Sequence, residues 1–138
     1  MAFSDSQANS VILDGDGEAT ILLAGTVVKG DILGYSSGWV QALATTAGVI
    51  QGRCVAKTDG VSGERISAFF DYAVLGGARF SGGTAGGALY VAEGTDVGEY
   101  TQTIPTTTGD ATKIVGYMTT ATIAVVRPLA NDDSVKAA

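Results

Sequence analysis

The sequence predicts an all-β chain: a single small β-barrel or β-tulip-like domain, built from two meander units behind an extended N-terminal arm. Three observations carry this expectation. Apolar and polar residues alternate along Arg65-Ile66-Ser67-Ala68-Phe69-Phe70-Asp71-Tyr72, which is the period of a strand. Glycine reaches 20 of 138 residues, about twice ordinary usage, while proline is only 2. Glycine at that level, interleaved with Val, Ile, Leu and Thr, suits tight turns between short strands. No window shows helical periodicity beyond two turns, and the only short-helix candidate, Ala42–Ala47, reads equally well as a loop.

One order of segments recurs. Gly30-Asp31-Ile32-Leu33-Gly34-Tyr35 leads through Ser36-Ser37-Gly38 to Trp39-Val40-Gln41-Ala42. From Gly86 the order returns as Gly86-Gly87-Ala88-Leu89-Tyr90-Val91, a turn of Ala92–Asp96, then Glu99-Tyr100-Thr101-Gln102. Each copy ends in an I-x-G segment, Ile50-Gln51-Gly52 in the first and Ile114-Val115-Gly116 in the second. The spacing drifts from 56 residues at Gly30/Gly86 to 64 at Ile50/Ile114. Either the chain is duplicated over 30–56 and 86–120, or β composition has produced a coincidence. Two copies are too few for a solenoid but enough for one barrel.

Taken in order, residues 1–18 are polar and read as an extended arm, with Phe3 and the trio Val11, Ile12 and Leu13 as its only apolar anchors. The barrel is expected over 19–128. Ala19–Leu23 and Thr26–Val28 are strand material, and Lys57–Gly63 is a loop with an Asp-Gly turn signal. In the strand that follows, Ile66, Ala68, Phe70 and Tyr72 face one way. Phe69 interrupts the opposite, polar face, either as a contact to a neighbour or as the edge of a second small cluster. Ala73–Phe80 reads as a separate strand around Gly76-Gly77. Thr103–Thr112 is a Thr-rich surface loop, Thr122–Arg127 closes the barrel, Pro128 stops it, and 129–138 form a polar tail.

Composition narrows function. Net charge is -6 and the eight basic residues are scattered singly, so no stripe exists to track a phosphate backbone. The absence of histidine removes His-based triads and general bases and nearly every zinc site. Cys54, alone in an apolar run, reads as a buried structural thiol. No apolar run approaches a membrane span, and the N-terminus lacks the basic start and apolar core of a signal peptide, so synthesis in a host cytoplasm is expected. Asp14-Gly15-Asp16-Gly17-Glu18 spaces carboxylates like the start of a calcium loop, but Ala19 and Gly25 occupy the positions that need glycine and glutamate; a solvated acidic turn is the reading. The glycines from Gly76 to Gly87 lack any phosphate-loop spacing. No acid pair stands in a recognisable catalytic context. Trp39, Tyr35, Tyr90 and Tyr100 form either a sugar platform or structural fillers, and the similar places of Trp39 and Tyr100 in the two units favour the second.

The polar arm, the Gly-Asp-Ile-Leu strand, the I-x-G segment, the Gly-rich crossing, Leu89-Tyr90-Val91 and the closing Ile123-Ala124-Val125-Val126-Arg127-Pro128 together resemble a family. They look like the small head decoration, or cement, proteins of tailed bacteriophages, the Gly/Ala/Thr-rich β-barrel type, over roughly Thr20–Pro128. The resemblance implies a barrel, usually a homotrimer, bound to the major capsid protein on the outer surface of the mature capsid. It implies neither catalysis nor cofactor. On that footing Phe3, Val11, Ile12 and Leu13 are the candidate capsid-binding residues, and Trp39, Phe69 and Tyr100 the candidate inter-subunit contacts. The rival expectations are a carbohydrate- or receptor-binding β module, and a tail or baseplate structural subunit.

Overall fold

The computed structural model describes residues 2–129 and 131–138; Met1 of the expected arm and Ala130 of the expected tail lie outside them. The described chain is all-β. Its strands are β1 (Ser4–Asp5), β2 (Ser10–Leu22), β3 (Ile32–Tyr35), β4 (Trp39–Gln41), β5 (Cys54–Ala56), β6 (Arg65–Gly77), β7 (Phe80–Ser81), β8 (Ala88–Val91), β9 (Tyr100–Thr101), β10 (Ile114–Met118) and β11 (Ala124–Val126). Among the described residues no helix is long and apolar enough to cross a membrane.

The spine is an antiparallel ribbon in which β2 and β6 pair from Ser10↔Gly77 to Leu22↔Arg65. The strands β5 and β11 then take successive stretches of the other edge of β6. Phe69 lies between Glu18 and Val55, and Ala73 between Gly15 and Val126. From these two attachments the sheet forks. One flank runs β5-β3-β4 and the other β11-β10-β8-β9.

The flanks curl toward each other into a half-barrel, and main-chain bonds stitch their far ends together. Gly98 N–H donates to Ala42 O at 3.0 Å, Ala44 N–H to Ala92 O at 2.9 Å, and Ala111 N–H to Ala44 O at 2.8 Å. Between the flanks lies the main core, which includes Ile32, Val55, Phe69, Leu75, Phe80, Leu89, Val115, Met118 and Val126. A second core covers the outer side of the first flank, where Ile21, Leu23 and Val27 lie over Leu33, Cys54, Ala56, Ile66 and Ala68. Cys54 is buried there, and burial pushes its thiol up to about 12.

The two recurring segments share a topology. In each, the first strand sits between the second and the third, as β4-β3-β5 and as β9-β8-β10. Their I-x-G segments do not coincide, however. Leu33 pairs with Cys54 and its counterpart Leu89 pairs with Gly116, so Gly116 matches Cys54 rather than Gly52. A two-residue slip leaves every side chain on its original face, so alternation alone does not detect it.

Several expectations need correction. The stretch expected as an extended arm is mostly ladder: Ser10–Leu22 is one strand, and Asp14–Glu18 is its middle, not a turn. Gly15 stands there because a Cβ would fall 2.5 Å from Cε1 of Phe69. The expected break between Tyr72 and Ala73 is absent, since β6 runs unbroken to Gly77. The strand β11 does not close the barrel; it is central, between β6 and β10, which accounts for its unrelieved apolar sequence. Of the expected strand Thr26–Val28, only a bridge from Val27 to Gly60 forms. The expected tail is tied down: Arg53 makes a bidentate pair with Asp133 at 2.6 and 3.0 Å, and Ala111 bridges to Val135.

Candidate functional site

The polar centre of the molecule is a residue that sequence patterning left unremarked. Arg79 follows β6 in the turn before β7, with its side chain fully buried. The pairing of β1 with β7 sets Asp5 beside Phe80 and brings the start of the chain over Arg79. Asp5 then takes Arg79 with both oxygens, Nε to Oδ1 at 2.7 Å and Nη2 to Oδ2 at 3.1 Å. The guanidinium also donates to Ser10 Oγ at 2.7 Å, Lys29 O at 3.2 Å, Asp31 Oδ1 at 3.3 Å and Gly98 O at 3.3 Å. Its Cζ lies 5.2 Å from the ring centre of Tyr100 and 5.6 Å from that of Phe80.

Asp31 is equally enclosed. It accepts from Gln7 Nε2 at 2.9 Å, Gln41 Nε2 at 2.7 Å and Val28 N–H at 2.9 Å. Burial pushes the carboxyls of Asp5 and Asp31 up, against the pull of Arg79. Gly30 lies against the cluster, and a Cβ there would sit 2.7 Å from Ser10 Oγ and 2.9 Å from Arg79 Nη1. The N-terminal segment, the start of β3 and the start of β9 thus meet on one cation at the seam between the flanks, and the end of β4 joins them through Asp31. With its donors and acceptors matched, the cluster is a structural latch.

Beside the latch opens a cavity of about 340 Å³ whose lining includes Phe3, Asp5, Glu93, Asp96, Glu99 and Tyr100. Burial, then the charges of Asp5 and Asp96, raise Glu99 from 4.5 to about 7. Glu93 is also raised, by its hydrogen bond with Asp110, which is lowered in turn. Among the described residues no group of three or more His, Cys, Asp or Glu is placed to hold a metal ion.

The sign of the Glu99 effect follows from linkage. The folded chain holds this proton more tightly than the unfolded chain, so ionising Glu99 opposes folding. The penalty is absent below the ordinary pKa, grows as pH rises toward about 7, and is complete above it. Glu99→Gln is therefore expected to raise the Tm clearly at about pH 8 and much less at about pH 5. Thermal scans at both values check this, and equal effects at the two would refute it.

The residues singled out from sequence separate into two groups. Phe3 is half-buried and stacks on Phe80 at 5.7 Å, and Ile12 is half-buried against the main core. Tyr100 is 2% exposed and Phe69 4%; both belong to their own chain's core. The expectation of intersubunit contacts there is corrected: on that face of β6, Phe69 turns into the half-barrel core with Ala73 and Leu75, while Arg65 and Asp71 stay exposed. Trp39 is half-buried, edge to face with Tyr35 at 5.5 Å and with Phe70 at 5.5 Å. Val11 and Leu13 remain exposed, at 45% and 53%.

The outer side of the second flank is open. Strand pairing lines up Ala88, Tyr117, Val125, Val74 and Asp14 in one row across it, with Tyr90 opposite Ile114 alongside. Ile114 is 51% exposed and Tyr117 47%. The first flank buries the corresponding side under its own residues 21–27, whereas this one has no such cover among the described residues. No protein-family model, curated protein or solved structure matches the chain.

Proposed function

We propose that the chain is a non-catalytic structural protein of a tailed-phage virion, which binds the outer surface of the mature capsid and bridges neighbouring capsomers. The observation that carries this reading is the uncovered outer side of the second flank, where the large apolar side chains of Ile114 and Tyr117 stand about half exposed. Exposed apolar patches of this kind mark surfaces that meet other proteins. The interior supports the reading too. The buried cluster around Arg79 holds the N-terminal segment and both flanks together, which suits a body that must bear load. Homotrimerisation would multiply one modest contact with the major capsid protein into a firm grip.

The rival carbohydrate reading has less support from the aromatic cluster. Tyr35, Trp39 and Phe70 meet at 81° and 87°, so they offer edges and no shared flat platform for a sugar ring.

The test is to mix purified chain with expanded, undecorated capsids of the phage that encodes it and to image the product. Decorated shells are expected with the wild type. The double variant Ile114→Glu/Tyr117→Glu is expected to leave them bare while keeping its unfolding midpoint. Bare shells with the wild-type chain would refute the proposal, and equal decoration by the double variant would refute the role of this face.

A further inference from the structure

Three aspartates in the chain are followed directly by glycine: Asp14, Asp16 and Asp59. An aspartate can lose water to the next residue's amide nitrogen and close a succinimide ring. A side chain on that next residue crowds the closure, and glycine has none. At Gly15 the packing forbids one, since a Cβ would fall 2.5 Å from Cε1 of Phe69. The contact that fits β2 against β6 therefore also leaves this step unhindered.

The fold treats the three pairs differently. At Asp14 the reacting groups already touch: Gly15 N–H turns to Asp14 Oδ1 at 2.8 Å. The Tyr72 hydroxyl donates to Oδ2 of the same carboxyl at 3.0 Å and holds it in place. Asp14 is exposed, so water reaches it. Rotation about its Cβ–Cγ bond, a soft torsion, turns the face of the carboxyl carbon to the nitrogen. At Asp59 both partners are engaged elsewhere: Oδ1 accepts from Lys29 N–H at 2.7 Å, and Gly60 N–H donates to Val27 O at 3.1 Å. Among the described residues Asp16 makes no bond to the Gly17 amide.

We propose that Asp14-Gly15 is a site of spontaneous covalent modification, at which the folded chain converts aspartate to isoaspartate. From the acid form, Gly15 N attacks Asp14 Cγ and the N–Cγ bond forms. Oδ2 leaves as water, with its own proton and the one Gly15 gives up. Water then adds back at either ring carbonyl. Opening at Cγ restores aspartate. Opening at the main-chain carbonyl breaks its bond to Gly15 N and leaves the chain running through Cβ and Cγ. No oxidant or other reactant is needed. The added main-chain atom falls beside the bulge between Ile12 and Asp14, where the ladder with β6 already absorbs a shift of register. This inference stands apart from the virion reading, and its test uses the chain alone.

In the test, folded chain is held in warm, mildly acidic buffer beside a sample kept unfolded in guanidinium chloride. Both are digested, and isoaspartate is located by peptide mapping with electron-transfer fragmentation. In the folded sample, conversion at Asp14 is expected to run about tenfold ahead of that at Asp16 and Asp59, the advantage of groups held in contact. In the unfolded sample the three are expected to convert at similar rates, since the contact is gone. Asp14→Glu is expected to silence position 14, because the larger ring closes poorly, and to leave Asp59 unchanged. The comparison among the three sites needs no variant to fold. No isoaspartate at Asp14 in the folded chain, equal conversion at the three sites there, or the same preference for Asp14 after unfolding would overturn the proposal.

Discussion

Arg79→Met is expected to lower folding stability by about 3–5 kcal/mol, the range for breaking a buried ion pair from one side. The substitution keeps much of the side-chain bulk, so the cost is electrostatic. Asp5 and Asp31, both enclosed, would keep their negative charge without its partner, or take up protons at neutral pH. Ser10 Oγ, Lys29 O and Gly98 O would lose a donor at the same time. Against a typical domain stability of about 5–15 kcal/mol the loss is a large fraction. Arg79→Lys is expected to recover little, because an ammonium cannot make the bidentate pair with Asp5 and reach Asp31 as well. Adding Asp5→Asn and Asp31→Asn to Arg79→Met is expected to restore part of the loss, since it removes the orphaned charges. Urea unfolding followed by circular dichroism measures all three. A loss below about 1 kcal/mol for Arg79→Met would place the latch among the weak, solvent-screened pairs and undo this account.

What the sequence made legible was local, and what it hid was long-range. Alternation along Arg65–Tyr72, glycine-marked turns and the absence of helical periodicity were enough for an all-β fold. The recurrence at Gly30 and Gly86 anticipated two flanks of the same strand order. It could not anticipate their attachment to one edge of β6, because that depends on pairings between residues far apart in sequence. The latch was hidden for the same reason: Asp5, Asp31 and Arg79 are each an unremarkable charge beside glycine, serine or alanine. A faint signal existed in Arg79 itself, a lone cation between the glycines of Gly76-Gly77 and an aromatic residue. The acidic stretch Asp14–Glu18 misled because glycine was read as a turn former. Its actual use at Gly15 is to admit an aromatic ring from the neighbouring strand.

That ring supplies the second large effect. Phe69→Ala is expected to cost about 3–5 kcal/mol, as for other buried phenylalanines cut back to alanine. Phe69 is 4% exposed, with its ring over the bare backbone of Gly15 and Lys57 Nζ 5.9 Å from the ring centre. Gly15→Ala alone is also expected to destabilise, because the new methyl would meet the ring at 2.5 Å. The two changes should not add. Once Phe69 is cut back, the methyl at position 15 enters the vacated space, so the double variant is expected to be more stable than the sum of the singles by about 0.5–3 kcal/mol. Chemical denaturation of the four proteins closes the cycle, with native mass recorded for each. If Phe69→Ala left the monomer's stability unchanged and lowered only the native mass, Phe69 would be a subunit contact after all, as the polar-looking face of its strand first suggested. Strict additivity in the cycle would mean that ring and glycine do not touch.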